Sequence, residues 1–84
     1  MKLKAYSVFD SKAEAYGLPH FFVAKGLAIR AFTDLTNDPQ SLISKHPEDF
    51  DFFEIGEFDD LTGKFTPNEV NIHLGKAIEY KSQG

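Results

Sequence analysis

Phe50-Asp51-Phe52-Phe53-Glu54-Ile55-Gly56-Glu57-Phe58-Asp59 is the stretch whose reading decides the fold. Its residues alternate at period two, the spacing of a β-strand. Asp51, Phe53, Ile55, Glu57 and Asp59 fall on one side, and Phe50, Phe52, Glu54, Gly56 and Phe58 on the other. Aromatic rings stand on both sides, which predicts a strand with cover on both. Gly56 predicts a bulge, a bend or the close approach of another group. Asp59-Asp60-Leu61-Thr62-Gly63 reads as a hairpin turn with Gly63 at positive φ, and Lys64-Phe65 starts the return strand.

Before this strand, Pro47-Glu48-Asp49 reads as a turn. A short helix holding Leu42 and Ile43 is expected between Pro39 and Pro47, with Asp38 as its cap. The main helix is predicted over 26–36, where Leu27, Ala28, Ala31, Phe32 and Leu35 form one stripe at helical spacing. Ile29 lies to one side of it. Arg30 and Asp34, four apart, are expected to pair on its outer face. Upstream, residues 2–9 alternate again, with Leu3, Ala5, Ser7 and Phe9 on one side and Lys2, Lys4, Tyr6 and Val8 on the other. Residues 10–17 read as a loop or helical turn closed by Gly17. Phe21-Phe22-Val23 reads as a short strand or docked extended segment. After the hairpin, two readings compete. Thr66-Pro67-Asn68-Glu69 has the form of a capped helix start, whereas Val70-Asn71-Ile72-His73-Leu74 alternates like a strand. Residues 76–81 are the more helix-like. The predicted fold class is therefore α+β: one domain over 1–84, a small antiparallel sheet containing strands 3–9 and 50–58, with helix 27–36 packed on it.

The chain has 84 residues, nine Phe, three Tyr and no Cys. A domain of this size buries only about 60–65% of the surface its unfolded chain exposes, so each large ring matters to the core. The lack of Cys excludes disulfides and thiolate-bound zinc, and fits the cytosol. No apolar run approaches the roughly 20 residues that span a bilayer. Ser7, Asp10, Ser11, Lys12 and Glu14 interrupt what would be the apolar part of a signal peptide. A membrane or secreted setting is not expected.

The net charge of −4 is unevenly spread. In residues 1–30, Lys2, Lys4, Lys12, Lys25 and Arg30 stand against Asp10 and Glu14, a balance of +3; residues 31–84 carry −7. An acidic chain counts against non-specific binding to phosphates. The segregation fits head-to-tail self-association, or an acidic face that repels or mimics nucleic acid.

Chemistry is sparse in the sequence. His20, His46 and His73 are dispersed and make no metal-ligand pattern, so no metal is expected. Glu54, Glu57, Asp59 and Asp60 sit on the hairpin and read as solubilising charges rather than a paired acid and base. There is no nucleophile elbow and no phosphate loop, so no catalytic residue and no cofactor are expected. What remains is binding. Lys2, Lys4, Lys25 and Arg30 are candidate phosphate contacts, with Tyr6, Phe21 and Phe22 as candidate platforms for stacked bases. Phe50, Phe52, Phe53 and Phe58 are candidate protein-interface rings, since nine Phe exceed what one slim core readily hides.

Several stretches together resemble a known family. They are Lys4-Ala-Tyr-Ser-Val-Phe-Asp10, Ala28-Ile-Arg-Ala-Phe32, His46-Pro-Glu-Asp-Phe50, Phe53-Glu-Ile-Gly-Glu-Phe-Asp59, Thr62-Gly63 and Leu74-Gly-Lys-Ala77. The chain resembles the small nonstructural protein of gokushovirus-type microviruses, phages with circular single-stranded DNA genomes. The resemblance implies a non-enzymatic accessory protein in the cytoplasm of the infected bacterial host. It implies binding to single-stranded DNA during genome synthesis or packaging, with a homo-oligomer and a viral replication or host protein as further partners. The alternative is a protein–protein factor that acts through the acidic aromatic hairpin.

Overall fold

The structure, a computed structural model, describes residues 1–82. Five strands run in the order β1 (Lys2–Asp10), β2 (Ala15–Tyr16), β3 (His20–Phe22), β4 (Phe50–Asp59) and β5 (Lys64–Lys76). Two helices, α1 (Lys25–Asn37) and α2 (Leu42–Lys45), lie between β3 and β4. Short 3-10 turns follow at Pro47–Asp49 and Ala77–Tyr80. The sheet is antiparallel, with spatial order β2-β1-β4-β5 and β3 paired to the same edge of β1 as β2. The α+β fold expected from the sequence is the fold found, with a curled sheet and the helices packed on one face.

A one-residue bulge organises the sheet. Ala5 pairs with Gly56, yet Tyr6 pairs with Glu54, so Ile55 is the extra residue. A bulge resets the alternation beyond it. Phe50, Phe52 and Glu54 therefore share a face with Glu57 and Asp59, whereas Asp51 and Phe53 share the other with Gly56 and Phe58. The strict two-sided pattern read from the sequence breaks at this point.

The first face carries the core. Phe32 stacks on Phe52 at 4.4 Å and 6°, and Tyr6 stacks on Phe52 from the other side at 5.6 Å. Ala28, Phe50 and Ala77 complete the cluster, with Val8, Phe22, Ile29, Ile43, Leu74 and Tyr80 packed around it. Ala28 and Phe32 of the expected stripe are buried, and Thr36 joins them. Leu27 and Leu35 lie on its rim. Ile29, expected to one side, packs on the core. The helix has turned so that its small and aromatic residues meet the sheet.

Two local expectations are corrected and one open choice is decided. Ser41, not Asp38, caps α2: its hydroxyl accepts the Ser44 N–H at 3.0 Å, while the Asp38 carboxylate is spent on the Gln40 N–H. Residues 15–16 form a strand, since Gly17 N–H bonds to Val8 O and the Ser7 hydroxyl to Gly17 O. Residues 66–74 are strand, not helix. The Thr66-Pro67-Asn68-Glu69 signal loses because β4 needs a partner. The mismatch is absorbed between Pro67 and Ile72, where the β5 residues from Asn68 to Asn71 lie opposite Ile55 alone. There the Asn68 side chain donates to the Glu54 carbonyl at 3.1 Å and its carboxylate at 3.0 Å, doing the work of the missing backbone pairs.

The C-terminal segment clasps the helices. Lys81 Nζ donates to Thr36 O at 3.3 Å and Ser44 O at 3.1 Å. Asn37 donates to Tyr80 O and accepts the Ser82 N–H at 2.7 Å. The Tyr80 hydroxyl donates to Leu74 O at 2.6 Å, and burial, with Glu79 adding, raises its pKa.

Candidate functional site: the open aromatic face

The second face of the sheet has no helix on it, because both helices contribute to the core on the first. Its floor is small: Ala5, Ser7 and Gly56, all buried. Rings rise at both ends. At one end Tyr16 packs on Phe9 at 4.9 Å and on Phe53 at 5.5 Å, and Phe53 on His73 at 5.2 Å. At the other, Phe21 meets Phe58 at 5.6 Å and Phe65 at 6.4 Å. All these contacts are strand to strand. Tyr16, Phe21 and Phe65 remain 45%, 43% and 41% exposed, so each offers a ring surface to solvent.

The face is concave. Tyr16 lies on the edge beyond β1 and Asn71 on the edge beyond β4, yet Asn71 Nδ2 donates to the Tyr16 hydroxyl at 3.3 Å. Gly56 makes the floor possible at the other end. A Cβ there would stand 2.5 Å from Phe65 Cζ and 2.7 Å from Thr66 O, so the Phe65 ring lies where only glycine leaves room.

The charges divide by face as well. Glu54, Glu57 and Asp59 lie on the covered side, beyond the bulge from Phe53 and Phe58. On the aromatic side Asp51 is bracketed by the His73 imidazole, with Nε2 at 2.8 Å, and by Lys76 Nζ at 3.2 Å. The aromatic face is thus close to neutral in an acidic protein.

The residues expected to touch nucleic acid are dispersed. β3 pairs with β1 and does bring Phe22 beside Lys4 and Phe21 beside Ala5. Lys2 and Lys4 point to the covered side and both reach Glu57, at 3.8 and 3.3 Å. The terminal ammonium takes Asp60 at 2.8 Å. Part of the positive start and of the acidic hairpin is therefore paired inside one molecule. Tyr6 is 1% exposed, its ring in the core and its hydroxyl without a partner; burial, then Glu54, raises its pKa. Phe22 faces α1 and packs edge-on to Tyr6. Lys25 opens α1 and Arg30 lies on its outer side. Of the expected interface rings, Phe50 and Phe52 are core, while Phe53 and Phe58 belong to the open face.

Tyr16 and Phe65 did not enter the sequence reading of the site. Phe65 carried a signal, being the residue that opens the return strand; Tyr16 carried none beyond being aromatic. His46, Glu48 and Asp49 bring one ligand atom each within 4.8 Å of one another on an exposed turn, with Lys12 facing the same hollow. Among the described residues no helix is long and apolar enough to cross a membrane.

Fold and site define a class: a small α+β domain that presents a concave, ring-lined sheet face opposite a single helical layer. The chain belongs to the phage ORF5 family, whose model, described as "Phage ORF5 protein", matches residues 3–80. Protein ORF5 of Chlamydia phage 1, a gokushovirus, is 40% identical over 76 residues, which cover 86% of this chain and 79% of that protein. No solved structure matches the chain. The resemblance drawn from the sequence is thereby supported at the level of family.

Proposed function

We propose that this chain is a non-enzymatic accessory protein of a single-stranded DNA phage, working in the cytoplasm of the infected host and binding single-stranded DNA on the open aromatic face. The observation that carries the reading is the pair of ring clusters, Tyr16-Phe53-His73 and Phe21-Phe58-Phe65, on a sheet face that no helix covers. Unpaired bases have free π faces, and rings on a sheet stack them without regard to sequence. A duplex keeps its bases stacked internally, and its rounded, charged surface does not fit a narrow concave face. Phe21 keeps the stacking role expected of it, joined by Tyr16 and Phe65. Lys2, Lys4, Lys25 and Arg30 act as long-range attraction only. Lys76 is the cation beside the rings, with the His73 imidazole next to it.

This division of labour sets the salt dependence. With one or two phosphates neutralised at the face, log K should fall with log salt at a slope of about −0.7 to −1.4. Fluorescence anisotropy with a labelled single strand of about 12 nucleotides, a length typical for one small domain, measures it. Phe21→Ala and Phe65→Ala should each weaken binding by about 5- to 150-fold, the range for one lost stacking ring. Affinity that is unmeasurable at low salt, or unchanged in both variants, overturns the reading. Light scattering on the same samples tests the oligomer: two copies side by side would lengthen the stacking track.

A further inference from the structure

A second surface lies on the opposite side of the molecule and has nothing to do with the aromatic face. Between α1 and the chain that joins β2 to β3 is an apolar groove with a volume of about 250 Å3. Phe32 and Phe52 form its floor, Ala31 and Leu35 one wall, and Leu18 and His20 the other. His20 is the one side chain with polar atoms in the lining. The rim is unusually bare: Leu18 is 84% exposed and Leu35 45%, with Leu42 of α2 at 58%. A hollow of this size accepts one large side chain, and a deep apolar seat with exposed apolar lips is how single anchoring residues dock.

The charge beside the groove says which kind of segment fits. Leu27, Ala31, Asp34 and Asp38 follow at i, i+4, i+7 and i+11, so they mark one edge of α1 and its C-terminal cap. That edge is apolar at its start and doubly acidic at its end. Neither aspartate is used in an ion pair among the described residues. The expected Arg30–Asp34 pair does not form, and Asp38 only accepts the Gln40 N–H at 2.9 Å. No basic residue stands in the last turn of α1. Lys81 reaches the Thr36 carbonyl there, on the buried side of the helix, and leaves the outer edge uncompensated. The negative end of the helix dipole adds to the two carboxylates.

We propose that this groove is a docking site for a basic amphipathic segment of a partner protein. The segment seats one large apolar side chain between Leu18 and Leu35 and sets lysines or arginines against Asp34 and Asp38. Leu18 stands on the short link between Gly17 and His20, both held to β1, and its exposed side chain forms one lip of the seat.

The full chain tests this with three designed helical peptides: one tryptophan flanked by lysines, the same peptide with alanine for tryptophan, and the same with glutamates for lysines. Backbone NMR shifts locate binding and titration measures it. The lysine–tryptophan peptide should shift Leu18, Ala31, Leu35 and Ile43. It should bind roughly ten-fold more tightly than its glutamate twin, the combined worth of two exposed pairs. The alanine twin should not bind. Asp34→Lys with Asp38→Lys, both exposed positions, should reverse the preference without altering the fold. No shift at millimolar peptide, equal affinity for the charge twins, or shifts on Tyr16, Phe21 and Phe65 instead would each overturn the proposal. So would NMR shifts of Leu18 and Leu35 that move with protein concentration alone, the sign that a second copy already covers the groove.

Discussion

On the covered face of the sheet, Phe32 and Phe52 stack nearly parallel and are 2% and 5% exposed. On the open face, Phe21 and Phe58 meet at 55°, and Phe21 keeps 43% of its surface in water. The residue type is the same and the backbone is the same sheet. The difference is one bulged residue in β4 and one layer of helix. Rings that lose all their water hold the domain together, whereas rings that keep a face wet are held in place by their neighbours and stay available for contact. Nine phenylalanines in a small domain thus divide into two populations with different work.

The largest effect that separates the faces is on stability. Phe32→Ala should cost about 3–5 kcal/mol, the range for emptying a buried aromatic site, and leave the domain close to unfolded. Phe21→Ala should cost about 1–1.5 kcal/mol, because less area is lost from water. Urea denaturation of the two variants makes the comparison, and equal costs would erase the distinction. Next is Gly56→Ala. Its new methyl group would meet both the Phe65 ring and the Thr66 carbonyl, and the carbonyl cannot swing away. A loss of about 1–3 kcal/mol is expected, with Phe65 displaced in the NMR spectrum.

Two tyrosines sharpen the comparison within the covered face. Tyr80→Phe removes a 2.6 Å hydrogen bond and should cost about 1 kcal/mol. Tyr6→Phe removes a buried hydroxyl that has no partner and should stabilise by about as much. Both hydroxyls have raised pKa values, chiefly from burial. The unfolded chain therefore ionises these groups first, so their contribution to stability is constant below about pH 10 and falls as pH rises above it. Urea melts at rising pH should show that fall, and Tyr6→Phe should flatten it. The smallest effect is at the surface. Lys4→Ala breaks an exposed pair and should cost no more than about 0.5 kcal/mol. It should also leave single-strand affinity within about two-fold, since its charge faces away from the rings.

The elements with strong periodicity were legible before any coordinates: β1, α1, the hairpin turn and β4 all fall where the pattern puts them. What was not legible has physical causes. The T-P-N-E segment carries a local helix-start signal, and the long-range demand for a partner to β4 overrides it. The site was half legible. Phe21, Phe53 and Phe58 stand out as surplus rings, but their common face depends on the bulge at Ile55, and alternation alone assigns Phe53 and Phe58 to opposite sides. Tyr6 reads as a wet-face residue because its strand neighbours are lysines. It is core because α1 covers only its half of the strand. Lys2 and Lys4 read as a basic patch since Glu57 is more than 50 residues away in sequence and adjacent only in the sheet.

That adjacency has a kinetic consequence. β1 is the first strand to be made, and its long partner begins only at Phe50; the terminal ammonium waits 59 residues for Asp60. The helices in turn are clasped by Lys81 and Ser82. β2 and β3 can pair with β1 early, but the long β4 partner and the C-terminal clasp come late, so a growing chain has only part of its sheet to hold. Folding should be slow for a domain of this size, because even the nearest pair of the long β1–β4 ladder, Asp10 with Phe50, is far apart in sequence.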